Sequence, residues 1–319
     1  MPMKNILVTG GCGFIGSNFI NYYFDKNTDV SIVNLDAMYY CASEFNVKEE
    51  IRNSDRYHLV KGNLCSFDLL THILSNYKID TIIHFAAQSH VQNSFEDSLQ
   101  YTNDNVLGTH TLLETARRYG KVEKFIHIST DEVYGESMIV DDEEKKNESA
   151  VLCPTNPYAA TKAAAELIAK SYYFSFKMPI IITRGNNVYG PNQYPEKLIP
   201  RFIKLLKEDQ PVTIQGDGSN VRAFLHVLDV CSALECVIEK GQLGEIYNIG
   251  SDDHYEYSVL EIAQKLIQKI KNTDDFDKWI TYIDDRPFND KRYYISNEKV
   301  KNLGWTINVD FGTGINELL

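Results

Sequence analysis

The chain has 319 residues, 43% hydrophobic and 24% charged, and carries 32 Lys+Arg against 44 Asp+Glu for a formal net charge of −12. That balance supports a full globular core and excludes an intrinsically disordered chain, while the acidity argues against nonspecific binding to nucleic acid or to an anionic membrane. No apolar run approaches the ~20 residues of a transmembrane helix, so no membrane partner is expected.

The chain enters a strand-like run at once, with no signal-peptide pattern ahead of it. Further strand-like runs are 30 to 35, 57 to 60, 81 to 84, 124 to 128 and 180 to 183, after a first at 5 to 8. Helix-like stretches fall between them at 14 to 25, 66 to 77, 95 to 119 and 157 to 176. Alternating β and α with apolar strands predicts an α/β fold, a Rossmann-type doubly wound parallel sheet covered on both faces. After about residue 186 the pattern changes to helices at 195 to 208, 228 to 239 and 258 to 271, interleaved with short strands and turns such as Gly216-Asp217-Gly218. This predicts a smaller α+β substrate-binding region at the C-terminal end, with domains at 1–185 and 186–319. The charged stretch Asp141 to Asn147 reads as a solvated loop. The six cysteines (Cys12, Cys41, Cys65, Cys153, Cys231 and Cys236) show no CxxC pair and no metal-ligand spacing. No metal is expected, and reduced thiols in a cytoplasmic setting are the reading.

The first chemical signal follows the first strand. Gly10-Gly11-Cys12-Gly13-Phe14-Ile15-Gly16 is a glycine-rich turn between a strand and a helix. Such a turn lets backbone N–H groups and a helix N-terminus approach a pyrophosphate. Asp36 ends the second strand, where a carboxylate accepts hydrogen bonds from the adenosine ribose and repels a 2′-phosphate. The next four residues contain no Arg or Lys, so NAD is favoured over NADP.

Two further constellations lie downstream. Asn156-Pro157 opens a helix as N-cap and first-turn proline, and places Tyr158 and Lys162 four residues apart on one face. A neighbouring ammonium should lower the phenol pKa toward neutrality and make Tyr158 a base. Thr130-Asp131-Glu132 follows the fifth strand, at the carboxyl end where open α/β sheets bind ligands. Adjacent carboxyls there suit elimination, one protonated as acid and one ionised as base.

Taken together, GGCGFIG, HFAAQSH, STDEVYG and YxxxK resemble an extended short-chain dehydrogenase/reductase, and more narrowly a nucleotide-sugar 4,6-dehydratase. The resemblance runs over nearly the whole chain. The spellings RGNNVYGPNQ, GDGSNVR and RPFND are most similar to the dehydratase part of plant UDP-rhamnose synthases, which favours a UDP-sugar over a dTDP-sugar. The resemblance implies that Tyr158 removes the C4 hydroxyl proton, Thr130 holds the C4 oxygen, Glu132 removes the C5 proton and Asp131 protonates the departing C6 hydroxyl. It implies cofactor contacts from Gly10, Gly13, Phe14, Ile15, Gly16, Asp36, Asn63, Leu64, Phe85, Ala86, Ala87, Tyr158, Lys162 and Val188. It implies substrate contacts from Ser89, Thr130, Asn187, Lys197, Leu198, Arg222, Asn248, Arg286 and Asn289, with the two arginines on the pyrophosphate. It also implies a homodimer through a four-helix bundle built from 95 to 119 and 157 to 176.

The chain departs from the family spelling at Asn63, Gln92 and Ala223-Phe224. Gln92 leaves the sugar open between glucose and N-acetylglucosamine. dTDP-glucose 4,6-dehydratase, UDP-sugar 4-epimerase or decarboxylase, and a noncatalytic NAD-sensing module are the other readings. Epimerases usually carry small hydroxyl residues where Asp131 and Glu132 stand, and sensing modules tend to lose the Tyr/Lys pair.

Overall fold

Seven parallel strands carry the molecule: β1 (Asn5–Thr9), β2 (Ser31–Asp36), β3 (Tyr57–Lys61), β4 (Thr81–His84), β5 (Lys124–Thr130), β6 (Ile180–Gly185) and β10 (Ile246–Ile249). The computed structural model describes residues 3–138, 144–285 and 288–319. The sheet order is β10-β6-β5-β4-β1-β2-β3, so the strand order reverses between β1 and β4. Strand side chains alternate between two cores. Ile6, Val8, Ile32, Ile83, Ile126 and Ile181 pack on one face beneath α1 (Phe14–Lys26) and α9 (Val227–Lys240). Leu7, Val33, Ile82, Phe125, Ile180 and Ile182 pack on the other, against α3 (Phe67–Asn76), α6 (Gly108–Tyr119) and α7 (Pro157–Phe176). Burial on both faces is why these strands read as continuous apolar runs.

Short helices fill the connections: α2 (Glu49–Arg52), α4 (Val91–Glu96) and α5 (Ser98–Tyr101). The single helix expected over 95 to 119 is divided. A π-helical turn, Thr102–Leu107, separates α5 from α6. The turn brings Asp104 and Asn105 inward. Asn105 then accepts from Gln88 N at 2.7 Å and donates to Gln88 O at 3.0 Å and to Thr161 Oγ1 at 2.9 Å. A side-chain amide thus ties the loop after β4 to α7, a connection that regular helix phasing would not provide.

The C-terminal region contains β7 (Asn187–Tyr189), α8 (Leu198–Lys207), β8 (Val212–Gln215), β9 (Val221–His226), β11 (Glu256–Ser258), α10 (Val259–Lys271), β12 (Ile280–Ile283), α11 (Glu298–Lys301) and α12 (Phe311–Leu318). β11, β9 and β7 form one small sheet, and β12 pairs with β8. A third core, with Tyr189, Phe202, Leu206, Phe224, Leu266 and Phe311, holds it together. The boundary expected at 185/186 is crossed twice. β10 joins the large sheet beside β6, and α9 packs on α1. Ile246 to Ile249 are buried on both sides, so they complete the first region's sheet rather than the second's core. Of the charged loop at Asp141 to Asn147, residues 141–143 lie outside the described residues.

Behind the carboxyl end of the sheet sits one buried ion pair. Arg184, on β6, is 2% exposed and Glu166, on α7, is 0% exposed, with Nη2 and Oε2 2.6 Å apart. Arg184 also donates to Tyr134 Oη at 2.6 Å and to Glu148 O at 3.3 Å. Removing one member leaves the other charge buried without its partner. Glu166→Ala should therefore cost about 3–5 kcal/mol of stability, read from urea denaturation against wild type; a loss below about 1 kcal/mol, the scale of an exposed pair, would show that the pair is not structural.

Candidate active site

The glycine turn folds as a cradle. Gly10 has φ +72° and donates to Leu35 O at 2.8 Å. A Cβ there would stand 2.7 Å from the Ala86 backbone, and one on Gly16 would stand 2.4 Å from Gly10 O. These two glycines let β1, β4 and α1 close on one another. Gly13 differs: a Cβ would meet only Gly10 O, at 3.3 Å. It is the N-cap of α1, has no side-chain cap, and is followed by no acidic residue in the first turn. A helix N-terminus left in this state favours an anion.

A cavity of about 240 Å³ opens above the cradle. Gly10, Gly13, Phe14, Ile15, Gly16, Asp36, Asn63, Leu64, Phe85, Ala86, Ala87, Tyr158 and Lys162 all line it, together with Ser89 and Lys197. Asp36 is fixed by N–H donors from Cys12 at 2.9 Å and Met38 at 2.8 Å. Burial raises its carboxyl pKa, and the two donors pull it back. Ser129, which sequence reasoning did not single out, also lines the cavity, and among the described residues its buried hydroxyl has no partner. A nucleotide with hydroxyls and phosphates fits these groups. Val188 is the exception among the expected cofactor residues: it lies on β7, packed against the main core.

The cleft is clasped across its mouth. Tyr40, from the loop after β2, donates to Glu196 Oε2 at 2.7 Å and packs edge-on to Tyr194 at 5.4 Å. Lys197 donates to Ser89 O at 2.8 Å.

The acid–base residues meet at the end of β5. Thr130 caps a short 3₁₀ turn, Asp131–Tyr134, by accepting from Glu132 N at 3.3 Å. Asp131 is buried and accepts from Asn186 Nδ2 at 2.6 Å and from Thr130 Oγ1 at 3.2 Å. Burial first, and the neighbouring Glu132 second, push its pKa up to about 7. Burial also raises Glu132, opposed by a hydrogen bond from Asn156 and by the charges of Arg222 and Lys197. The sequence pointed to Asn156 only as the α7 N-cap. It fills that role, accepting from Ala159 N at 2.9 Å, and also donates to Glu132 Oε2 at 3.0 Å.

The expected activation of Tyr158 by Lys162 is not what the packing around the phenol produces. Burial and the carboxylates of Glu132 and Asp131 hold the phenol pKa above its ordinary value, while a hydrogen bond with Thr130 opposes them. Lys162 points elsewhere, donating to Ile128 O at 2.7 Å. Its own pKa is lowered to about 8 by burial, against the pull of Glu166. The i,i+4 spacing placed both residues in the cleft but did not fix where the ammonium points.

The remaining expected substrate residues are dispersed. Asn187 is half-buried on β7, and Leu198 begins α8 and packs on the third core. Arg222 is buried and bonded inward, to Val221 O and Asp290 O at 2.8 Å and to Asn289 Oδ1 at 3.4 Å. Asn248 is fully buried, accepting from Tyr134 Oη at 2.8 Å and donating to Lys146 O at 3.1 Å. It therefore braces β10 rather than facing the cleft. Asn289 donates to Asp285 at 2.9 Å. Arg286 lies outside the described residues. Sequence reasoning missed Asn186, whose amide joins Asp131 to Ser251 N, 3.0 Å away. Its signal was the RGNN run, where attention went to Asn187. Among the described residues, no group of three His, Cys, Asp or Glu could hold a metal ion.

This fold and this set of residues define an enzyme of the extended short-chain dehydrogenase/reductase class. The profile of the GDP-mannose 4,6 dehydratase family matches residues 7–318, and the chain belongs to that family. It is similar to the dTDP-D-glucose 4,6-dehydratase of Homo sapiens, 44% identical over 99% of this chain and 89% of that protein. It is also 46% identical to the Arabidopsis thaliana trifunctional UDP-glucose 4,6-dehydratase/UDP-4-keto-6-deoxy-D-glucose 3,5-epimerase/UDP-4-keto-L-rhamnose-reductase RHM1, covering 99% of this chain but only 46% of the plant protein. Among solved structures, the dTDP-glucose 4,6-dehydratase DesIV of Streptomyces venezuelae, with NAD and TYD bound, superposes with a TM-score of 0.91 at 36% identity, covering 98% of this chain and 95% of that one. The chain is an NAD-dependent sugar-nucleotide 4,6-dehydratase, a hydro-lyase.

Gly13 allows cofactor binding to be tested apart from folding. Gly13→Ala should melt within a few degrees of wild type yet be purified with far less bound dinucleotide, measured by chromatography of the acid-released nucleotide. Full occupancy in the variant would show that the α1 N-terminus is not the pyrophosphate seat.

Proposed function

We propose that the substrate is a UDP-hexose, with UDP-glucose favoured, and that the product is the UDP-4-keto-6-deoxy sugar. The observation that carries the reading is the pair of buried Asp131 and half-buried Glu132 at the carboxyl end of β5, beside Tyr158 and Lys162. One carboxyl with a pKa pushed up to about 7 stands next to one that burial also raises but that Asn156, Arg222 and Lys197 pull back, and this difference divides the acid and base roles. The dinucleotide, when bound, supplies the hydride acceptor for C4 and the hydride donor for C6. Tyr158 takes the proton of the 4-hydroxyl while Thr130 holds the C4 oxygen; it must first give up its own proton, which the raised pKa of its phenol makes the costly part of this step. The resulting 4-ketone acidifies C5, and Glu132 removes that proton. The electron pair forms the C5–C6 double bond as the C6–O bond breaks, and Asp131 protonates the departing hydroxyl, which leaves as water. Saturation of that bond by hydride at C6 and a proton at C5 gives substrate minus one water.

The UDP assignment is supported by the RGNNVYGPNQ, GDGSNVR and RPFND spellings. dTDP-glucose is the second reading, because the human and Streptomyces relatives carry that substrate in their names. UDP-N-acetylglucosamine is the third, through Gln92. Six free cysteines, one of them exposed, fit a reducing, cytoplasmic setting. No helix among the described residues is long and apolar enough to cross a membrane.

A homodimer completes the proposal. Leu99 is 82% exposed and Leu107 50%, on the stretch that leads into α6, while Leu167 is 59% and Phe174 63% exposed on α7. α6 and α7 lie side by side, joined by Tyr172 Oη bonded to Glu114 at 3.0 Å. Exposed apolar side chains on α7 and on the stretch leading into α6 suit a second copy of the same elements.

Mass-resolved incubation with UDP-glucose, UDP-N-acetylglucosamine and dTDP-glucose should show loss of one water from UDP-glucose without added NAD; no mass change with any of them would favour epimerisation. Asp131→Asn and Glu132→Gln should each lower the rate by about 10²–10⁴-fold. As Asp131 works protonated, wild-type turnover should fall as pH rises past about 7, and Asp131→Asn should lack that limb. The double variant Leu167→Glu/Phe174→Glu should sediment as a monomer; an unchanged sedimentation coefficient would place the interface elsewhere.

A further inference from the structure

Glu132 is held from one side. Its Oε2 lies 3.0 Å from Asn156 Nδ2 and 3.4 Å from Tyr293 Oη, and among the described residues Oε1 takes no bond. Tyr293 is buried, and its hydroxyl has a second and much nearer partner, Oδ2 of Asp290. Asp290 is itself a buried carboxylate that the reaction does not use. Thr155 donates to its Oδ1 at 2.7 Å, and Arg222 lies 4.8 Å over the Tyr293 ring while donating to Asp290 O at 2.8 Å. Four chain segments therefore converge to fix one phenol behind the base.

A phenol has one hydrogen and here faces two carboxylates. The hydrogen goes to the nearer, Asp290, which turns an oxygen lone pair toward Glu132. An ionised Glu132 gains nothing from that lone pair. A protonated Glu132 donates to it. We propose that Asp290 and Tyr293 form a positioning pair for Glu132, which turns a lone pair rather than a hydrogen toward Oε2, so that the ionised carboxylate is the stronger base, and leaves Oε1 unbonded among the described residues. The inference rests on the dehydratase reading for which proton Glu132 takes, and on the geometry alone for the pair.

The charges around Glu132 fit this arrangement. Asp131 faces it from its own turn, Tyr158 from α7, Lys197 from ahead of α8, Arg222 from β9, and Asp290 and Tyr293 from the segment after β12. Burial raises the Glu132 pKa and Asp290 adds to that, while Asn156, Arg222 and Lys197 oppose. Replacing Asp290 by Asn removes the negative charge. It also lets the new amide donate to the phenol oxygen, which frees the phenol hydrogen for Glu132. Both effects favour the ionised base, so the Glu132 titration must move to lower pH.

The test uses the NAD-loaded enzyme with Asp290→Asn and Tyr293→Phe. Carboxyl ¹³C NMR of glutamate-labelled protein, with Glu132→Gln to assign the resonance, reads the Glu132 midpoint directly. Turnover of UDP-glucose reads kcat and KM. Both variants should lower the Glu132 midpoint and the acid limb of kcat together, and should lower kcat by about 10- to 100-fold with KM within about twofold. An unmoved midpoint, or a kcat within about twofold of wild type, overturns the proposal. If Asp290→Asn fails to fold, Tyr293→Phe, which keeps the ring, decides on the same criteria. A wild-type enzyme that releases no water from any sugar nucleotide overturns the dehydratase reading instead, and the NMR midpoints still decide the pair.

Discussion

The buried Arg184–Glu166 pair is the constraint on which the catalytic end of the molecule depends. It joins the end of β6 to the middle of α7 in a region from which water is excluded, and Arg184 spends its remaining donors on Tyr134 and the Glu148 carbonyl. Tyr134 closes the turn that carries Asp131 and Glu132, and its hydroxyl passes the connection to Asn248 on β10. A guanidinium is suited to this because its donors are planar and fixed and its charge is permanent. The pair is a costly way to gain stability. Its effect is to give the turn after β5 one position relative to the helix that holds Tyr158.

The site is built outward from that bracket by amides. Asn186 holds Asp131, Asn156 holds Glu132, and Asn105 holds the loop after β4 against Thr161. An amide presents a donor and an acceptor without charge, so it can orient a carboxylate with a far smaller electrostatic pull than a cation would exert. That is how two adjacent carboxyls keep raised pKa values in a site that must also hold anionic phosphates. The phenol of Tyr293 extends the same logic, with a second carboxylate behind it.

Much of this was legible in the sequence, because its signals are local. Short continuous apolar runs separated by amphipathic stretches specify a doubly wound sheet, and the spacing Gly10, Gly13 and Gly16 specifies a turn that only absent side chains permit. What was not legible depends on contacts far apart in the chain. The 95 to 119 pattern looks like one helix, because nothing local announces that Asp104 and Asn105 turn inward to meet Gln88 and Thr161. Arg222 reads as a ligand residue by type, yet its guanidinium is taken up by carbonyls 68 and 69 residues away. Lys162 has the spacing to perturb Tyr158, but a backbone carbonyl at 2.7 Å takes its proton donor instead. β10 lies well inside the second half of the sequence, and only its burial on both sides returns it to the first region's sheet.

The clasp of Tyr40 on Glu196 has a consequence for the cell as well as for the fold. Its two halves come from the loop after β2 and the segment before α8, so a contact across the mouth would have to open for a dinucleotide behind it to leave. A cofactor that is oxidised and reduced within each turnover and does not leave behaves as a prosthetic group. Were the dinucleotide retained in this way, the output would be insulated from the surrounding ratio of oxidised to reduced dinucleotide.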